Sequence, residues 1–124
     1  MRYLLDTHIL LWWLADSSDL TKSARETISK RENFVMVSAA SIWEIRIKQG
    51  IGKIQLPPDF EVIVAEAPFE HLSITSRHAH AVFELPLHHR DPFDRLLIAQ
   101  AQCENLTLLT HDRNLAVYDV GVAF

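Results

Sequence analysis

Along the chain, apolar runs of strand length alternate with stretches in which apolar residues return every three or four positions. This is the pattern of βα units on a mostly parallel sheet. Arg2 to Leu5 reads as a first strand ended by Asp6, and Ile9, Leu10, Trp13 and Leu14 fall at helical spacing in a helix reaching about Ala15. Thr21 opens a second helix, which sets Ala24 and Ile28 against Lys22, Arg25, Lys30 and Arg31. Phe34 to Val37 is continuous and apolar, as a buried strand should be. Ser38 or Ser41 is available to cap a helix from Ile42 to Gln49, stopped by Gly50 and Gly52.

In the second half, Pro57-Pro58 sets a boundary, because proline is tolerated in a first helical turn and no deeper; a short helix from Asp59 to about Ala67 is expected. His71 to Ile74 reads as a weak third strand, and Thr75 can cap a helix over Ser76 to Phe83. Asp91-Pro92-Phe93-Asp94 is a start signal, with Asp as N-cap, Pro first in the helix and a carboxylate third. That helix should run to Asn105 and be almost wholly buried. Thr107 to Thr110 reads as the fourth strand, Asp112 as the start of a short helix and Val120 to Ala123 as a final strand.

At 124 residues with 48% hydrophobic side chains, the chain can bury a core as one domain, residues 1–124, and no linker or repeat divides it. The opening MRYLLDTHILLWWLAD is broken by Asp6 and His8, so neither a signal peptide nor a membrane span is expected. The single cysteine, Cys103, allows no internal disulfide and suits a reducing cytoplasm. Twelve Lys and Arg against sixteen Asp and Glu give a net charge of −4. No bulk positive field draws in polyanions, and a nucleic-acid partner has to be argued from a local site.

The acids supply such a site. Asp6 and Asp112 each follow an apolar strand, and Asp94 sits in the first turn of an apolar helix. In parallel α/β sheets, ligands bind beyond the carboxyl ends of the strands, so these distant acids should converge there. Glu44 joins them if its helix starts near Ser38. Each also has a local alternative: Asp6 and Asp112 can cap helices, and Asp94 can complete a capping box or favour the helix dipole. Glu44 lies beside an apolar stripe, with neither Arg46 nor Lys48 expected to pair with it.

Convergence decides between these readings. Two carboxylates roughly 4 Å apart repel by about 4 kcal/mol at an effective dielectric of about 20. Four would not assemble without a cation. Hard oxygen donors, with hydroxyls of Thr7, Ser38 and Thr110 close by, favour Mg2+ or Mn2+ over Zn2+. Such a site activates water and neutralises charge on a phosphodiester, so phosphodiester hydrolysis is the expected reaction.

Here the residues resemble a known family, the PIN-domain nucleases, and within it the VapC-like toxins of type II toxin-antitoxin systems. YLLDTHILLWWL is similar to the family's first strand, catalytic Asp and apolar helix; VSAASIWEI to the segment carrying its Glu; RDPFDRLLIAQA and LLTHD to the stretches carrying the later acids. The resemblance spans essentially the whole chain. It implies a three-layer α/β/α sandwich and a metal-dependent endoribonuclease with catalytic and metal-holding Asp6, Glu44, Asp94 and Asp112. It further implies an RNA substrate, a cognate antitoxin that fills the active-site groove, and a homodimer. Asp91 would be a cap with a possible outer contact to the site.

Seven histidines invite a zinc hypothesis, but no pair has the i, i+4 spacing of a helical zinc site. Most are expected on the surface or in loops, with His8 and His111, each adjacent to a site acid, able to touch a substrate phosphate. Trp12, Trp13 and Trp43 have apolar neighbours and read as core or interface anchors rather than base-stacking platforms. Two alternatives compete. A receiver-type Mg2+-binding phospho-acceptor needs an acid pair after strand one and a late Lys, and no Lys follows Lys53. A PIN-like module that binds RNA or antitoxin without cutting is compatible with the same residues.

Overall fold

The computed structural model describes residues 1–88, 90–118 and 122–123. Its elements follow the predicted alternation: β1 (Arg2–Leu5), α1 (Thr7–Leu14), α2 (Lys22–Ser29), β2 (Phe34–Ser38), α3 (Ala39–Gly50) and α4 (Phe60–Glu66). There follow β3 (Glu70–Leu72), α5 (Ser76–Phe83), α6 (Pro92–Glu104), β4 (Thr107–Leu109), a 3-10 turn (Arg113–Val117) and β5 (Val122–Ala123). The last expected strand extended to Val120, which lies outside the described residues.

Local chemistry explains the boundaries. The Thr21 hydroxyl accepts from the Ala24 N–H to start α2, and Asp91 accepts from the N–H groups of Phe93 and Asp94 to start α6. The expected start of α3 at Ile42 moves to Ala39, because Ser38 rather than Ser41 is the cap, accepting from the Ala40 N–H at 3.0 Å. At the other end α3 runs through Gly50, and Gly52, at φ +76°, takes the left-handed conformation that turns the chain away. Asn105 does the same for α6 at φ 55°.

The strands form one parallel sheet in the order β3-β2-β1-β4-β5. This order excludes a receiver-type domain, whose strands run 2-1-3-4-5. Successive residues of β1 point to opposite faces. Tyr3 and Leu5 pack with Ile9, Leu10, Ala24, Ile28, Ile45, Phe60 and Val64, so α1, α2, α4 and one side of α3 cover that face. Leu4 and Leu108 pack with Leu97, Ile98, Ala101 and Leu115, so α6 and the 3-10 turn cover the other. The result is a three-layer α/β/α sandwich. Among the described residues, no helix is long and apolar enough to cross a membrane.

Because Leu108 is wholly buried between sheet and helices, Leu108→Ala should cost roughly 2–5 kcal/mol of unfolding free energy. Val62→Ala, at a half-exposed position of α4, should stay within about 0.5 kcal/mol. Equal denaturant midpoints for the two variants would contradict this core.

Candidate active site

The chain lays down β1, β2 and β3 in one direction, then returns to place β4 on the other side of β1. The order therefore reverses between β1 and β4, and the crevice over their carboxyl ends is the place for a ligand. Asp6 directly follows β1, and Asp112 stands three residues beyond the end of β4. Both line one cleft of about 290 Å3, together with His8, Trp12 and His111.

Asp6 is the best-anchored group in the site. Its own N–H continues the sheet by donating to the Leu109 carbonyl at 3.0 Å. Oδ1 accepts from the Thr7 N–H at 2.7 Å, and Oδ2 from the Thr110 hydroxyl at 2.6 Å. Thr110 in turn accepts from the Asp112 N–H at 3.0 Å, so one hydroxyl ties the two acids' segments together. The side chain is both helix cap and cleft wall: the cap is what holds the carboxylate at the strand end. Burial raises its pKa above the ordinary 3.8, and the nearby negative charge of Glu44 adds to the rise. The hydrogen bonds from Thr110 and Thr7 and the charge of His8 pull the other way without cancelling it.

Glu44 faces inward from α3 and is 6% exposed. Contrary to expectation it has an ion-pair partner: the Lys48 ammonium, one turn on, lies 3.0 Å from Oε2. The i, i+4 spacing was there to be seen in the sequence. Its second oxygen, Oε1, is buried without a hydrogen-bond partner. An orphaned carboxylate oxygen in the interior is costly, and a cation is the natural remedy.

Asp94 occupies the first turn of α6, as expected, and its own N–H is held by Asp91. It is not among the residues lining the Asp6–Asp112 cleft. Its helix meets α3 through an edge-on contact of Phe93 with Trp43, ring centroids 5.2 Å apart, which joins the immediate neighbours of Asp94 and Glu44. Asp112 accepts from the Asn114 N–H at 3.0 Å and caps the 3-10 turn. Among the described residues, no three Asp, Glu, His or Cys side chains are gathered closely enough to hold a metal ion. Asp6 and Glu44 interact, and Asp6 and Asp112 share a wall.

Two polar groups behave differently from their sequence-based assignment. Ser38 does not offer its hydroxyl to the acids: it donates to Gln100 Oε1 at 2.6 Å. His78 is not a surface residue but is 1% exposed. Its Nδ1 accepts from the Thr75 N–H at 3.1 Å and faces the Gln100 amide at 3.3 Å, which leaves Nε2 to donate to Glu104 at 2.8 Å. Ser38, Gln100 and His78, all buried, and the partly exposed Glu104 thus form a polar thread between α3, α5 and α6. His89 lies outside the described residues.

An α/β domain with an acidic crevice at the point of strand reversal is the class that these features define. The model of the PIN domain family matches residues 3–121, and the chain belongs to that family. Membership places it among nucleases, hydrolases of nucleic acid that generally work with divalent metal ions. Compared by sequence with curated proteins, it matches none. Among solved structures it is similar to VapBC2 from Rickettsia felis bound to a DNA fragment from their promoter, at TM-score 0.76 and 16% identity over 99% of this chain and 98% of that one. It is also similar to a toxin-antitoxin complex from Klebsiella pneumoniae, at TM-score 0.69 and 18% identity over 98% and 96% of the chains. A third is FitAcB from Neisseria gonorrhoeae, at TM-score 0.68 and 17% identity over 98% and 96%.

The sign of the Asp6 shift gives a prediction. A carboxyl whose folded pKa exceeds its unfolded value binds protons more readily in the native state, so its ionisation erodes stability as pH rises from about 3.8 through the folded value. In chelator at neutral pH, Asp6→Asn should therefore be more stable than the parent protein, with the gain closing below about pH 3.8. Urea midpoints across pH test this; a variant less stable than the parent at pH 7, or a gain that grows in acid, counts against it.

Proposed function

We propose that this protein is a Mg2+- or Mn2+-dependent endoribonuclease, the toxin of a type II toxin-antitoxin pair, with Asp6, Glu44, Asp94 and Asp112 as its catalytic and metal-holding residues. The observation that carries it is the inward-facing Glu44 with its unpartnered Oε1, set beside a buried Asp6 at the point of strand reversal. The donor set is hard oxygen throughout and fits a small divalent cation. A bound ion would supply an activated water and charge neutralisation at the phosphodiester. Asp6 is the fixed ligand, locked by Thr7 and Thr110. Glu44, with Lys48 as the competitor for its carboxylate, and Asp94, from the start of α6, would complete the set that holds the ion, and Asp112 would form the outer wall. Net charge is no obstacle to an anionic substrate, because the cation bridges acid and phosphate.

The partners follow from surface chemistry and from the relatives. Leu11, Leu14, Leu56, Pro57 and Ile63 line an apolar groove of about 360 Å3, and Trp12 lines both this groove and the acidic cleft. A cognate antitoxin segment lying in the groove would reach the acids, in keeping with the complexes formed by the similar toxins. Exposed Trp43, Ile51 and Phe83 offer apolar surface for a second copy of the chain.

A second reading, an RNA- or antitoxin-binding module that does not cut, draws support from the Glu44–Lys48 ion pair, which neutralises one acid without any ion. Activity separates the two. The purified chain should cut an RNA panel in Mg2+ or Mn2+ and stop in EDTA, and Asp6→Asn or Asp94→Asn should lower the rate by more than about 100-fold with the fold retained by circular dichroism. Cutting that persists in chelator, or in either variant, refutes the mechanism; RNA binding with no cutting under any metal favours the module.

A further inference from the structure

The cleft of Asp6 and Asp112 has an aromatic side that the four acids do not explain. Trp12, six residues beyond Asp6 on α1, was expected as a core or interface anchor; it packs against the core and also lines this cleft. Its indole touches His8 at a centroid distance of 5.7 Å and 34° and His111 at 5.5 Å and 31°, tilted contacts within the range in which ring pairs attract. His111 is fixed in turn, since its Nε2 accepts from the Thr21 N–H at 3.3 Å. His8 is exposed, and so the aromatic group opens to solvent at one end.

Among the described residues that line the cleft there is no Lys or Arg. A nucleic-acid strand entering it meets imidazoles and an indole there rather than the Lys and Arg side chains that usually grip its backbone. What the lining does offer, besides carboxylates, is the aromatic set of Trp12, His8 and His111. Base–aromatic stacking is the other main source of affinity for single strands, and it is open to any base, because every base has a π-face. A base paired in a helix is stacked on its own neighbours and cannot use it.

On the ribonuclease reading above, we propose that Trp12, braced by His8 and His111, is the seat on which one unpaired nucleobase of the substrate strand stacks, beside the phosphate to be cut. The seat selects unpaired RNA and is tolerant of base identity. Trp12 is then a substrate-binding residue, and the acids hold the adjacent phosphate through the ion.

The test is a scan of a labelled single-stranded RNA in which each nucleotide in turn is replaced by an abasic one. Binding is read by fluorescence anisotropy with Mg2+ in an Asp94→Asn background of the full chain. One abasic position should weaken binding by about 5- to 150-fold, the value of one stacked base, and a complementary strand that pairs the site should weaken it comparably. Trp12→Phe should keep that dependence, whereas Trp12→Ala should bind intact and abasic RNA equally. If intact RNA is bound but no abasic position matters, or if Trp12→Ala keeps the dependence, the stacking seat is wrong and the nuclease reading stands. If no RNA is bound at all, the stacking seat is wrong, and the cutting assay on the parent protein decides the nuclease reading separately. The abasic scan needs no Trp12 variant, so a misfolded Trp12→Ala leaves the question decidable.

Discussion

One carboxylate at the end of the central strand organises the functional half of this molecule. Asp6 closes β1 through its N–H, starts α1 through Oδ1, and receives the Thr110 hydroxyl from beyond β4 on Oδ2. The β1–α1 junction and the segment beyond β4, 104 residues further on, are thereby tied together at one residue. Burying a charged group in this way opposes folding, and the raised pKa expresses that cost. The surrounding hydrogen bonds keep the group in place despite the cost, as expected of a site whose geometry serves something other than stability.

At the start of α3, the thread from Ser38 through Gln100 and His78 to Glu104 supports the helix that carries Glu44. Ser38 and Gln100 are fully buried, so each must find its partners inside the protein, and each hydrogen bond also constrains direction. The cap of α3, the middle of α6 and the start of α5 share one polar network, while leucines and isoleucines fill the rest of the interface. The acids at the crevice thus rest on positions set some distance behind them.

Most of the fold was legible in the sequence because helix starts are local chemistry. Thr75 with Ser76 to Phe83, Thr21, and Asp91-Pro92 each declared a boundary within four residues, and the structure has those starts. The family was legible because its acids keep their order after strands and at a helix start. Other features depend on residues that only the fold brings near. His78 is buried because Glu104 and Gln100 arrive from α6, and Ser38 turns from the acids toward the same helix. Trp12 has an apolar sequence environment, and the cleft wall it forms is completed by His111 arriving from beyond β4. The Lys48 partner of Glu44 is the exception, a pairing that spacing alone announces.

An outer strand of the sheet carries a further implication. β3, at one edge, is three residues long, with Glu70 and His71 exposed. A strand this short leaves few unpaired amides to template the addition of a foreign strand, and charge at the rim discourages it further. Recognition by sheet extension is thereby disfavoured at this edge, which protects against runaway edge-to-edge association and leaves side-chain complementarity on the helical layers as the main means of docking another polypeptide.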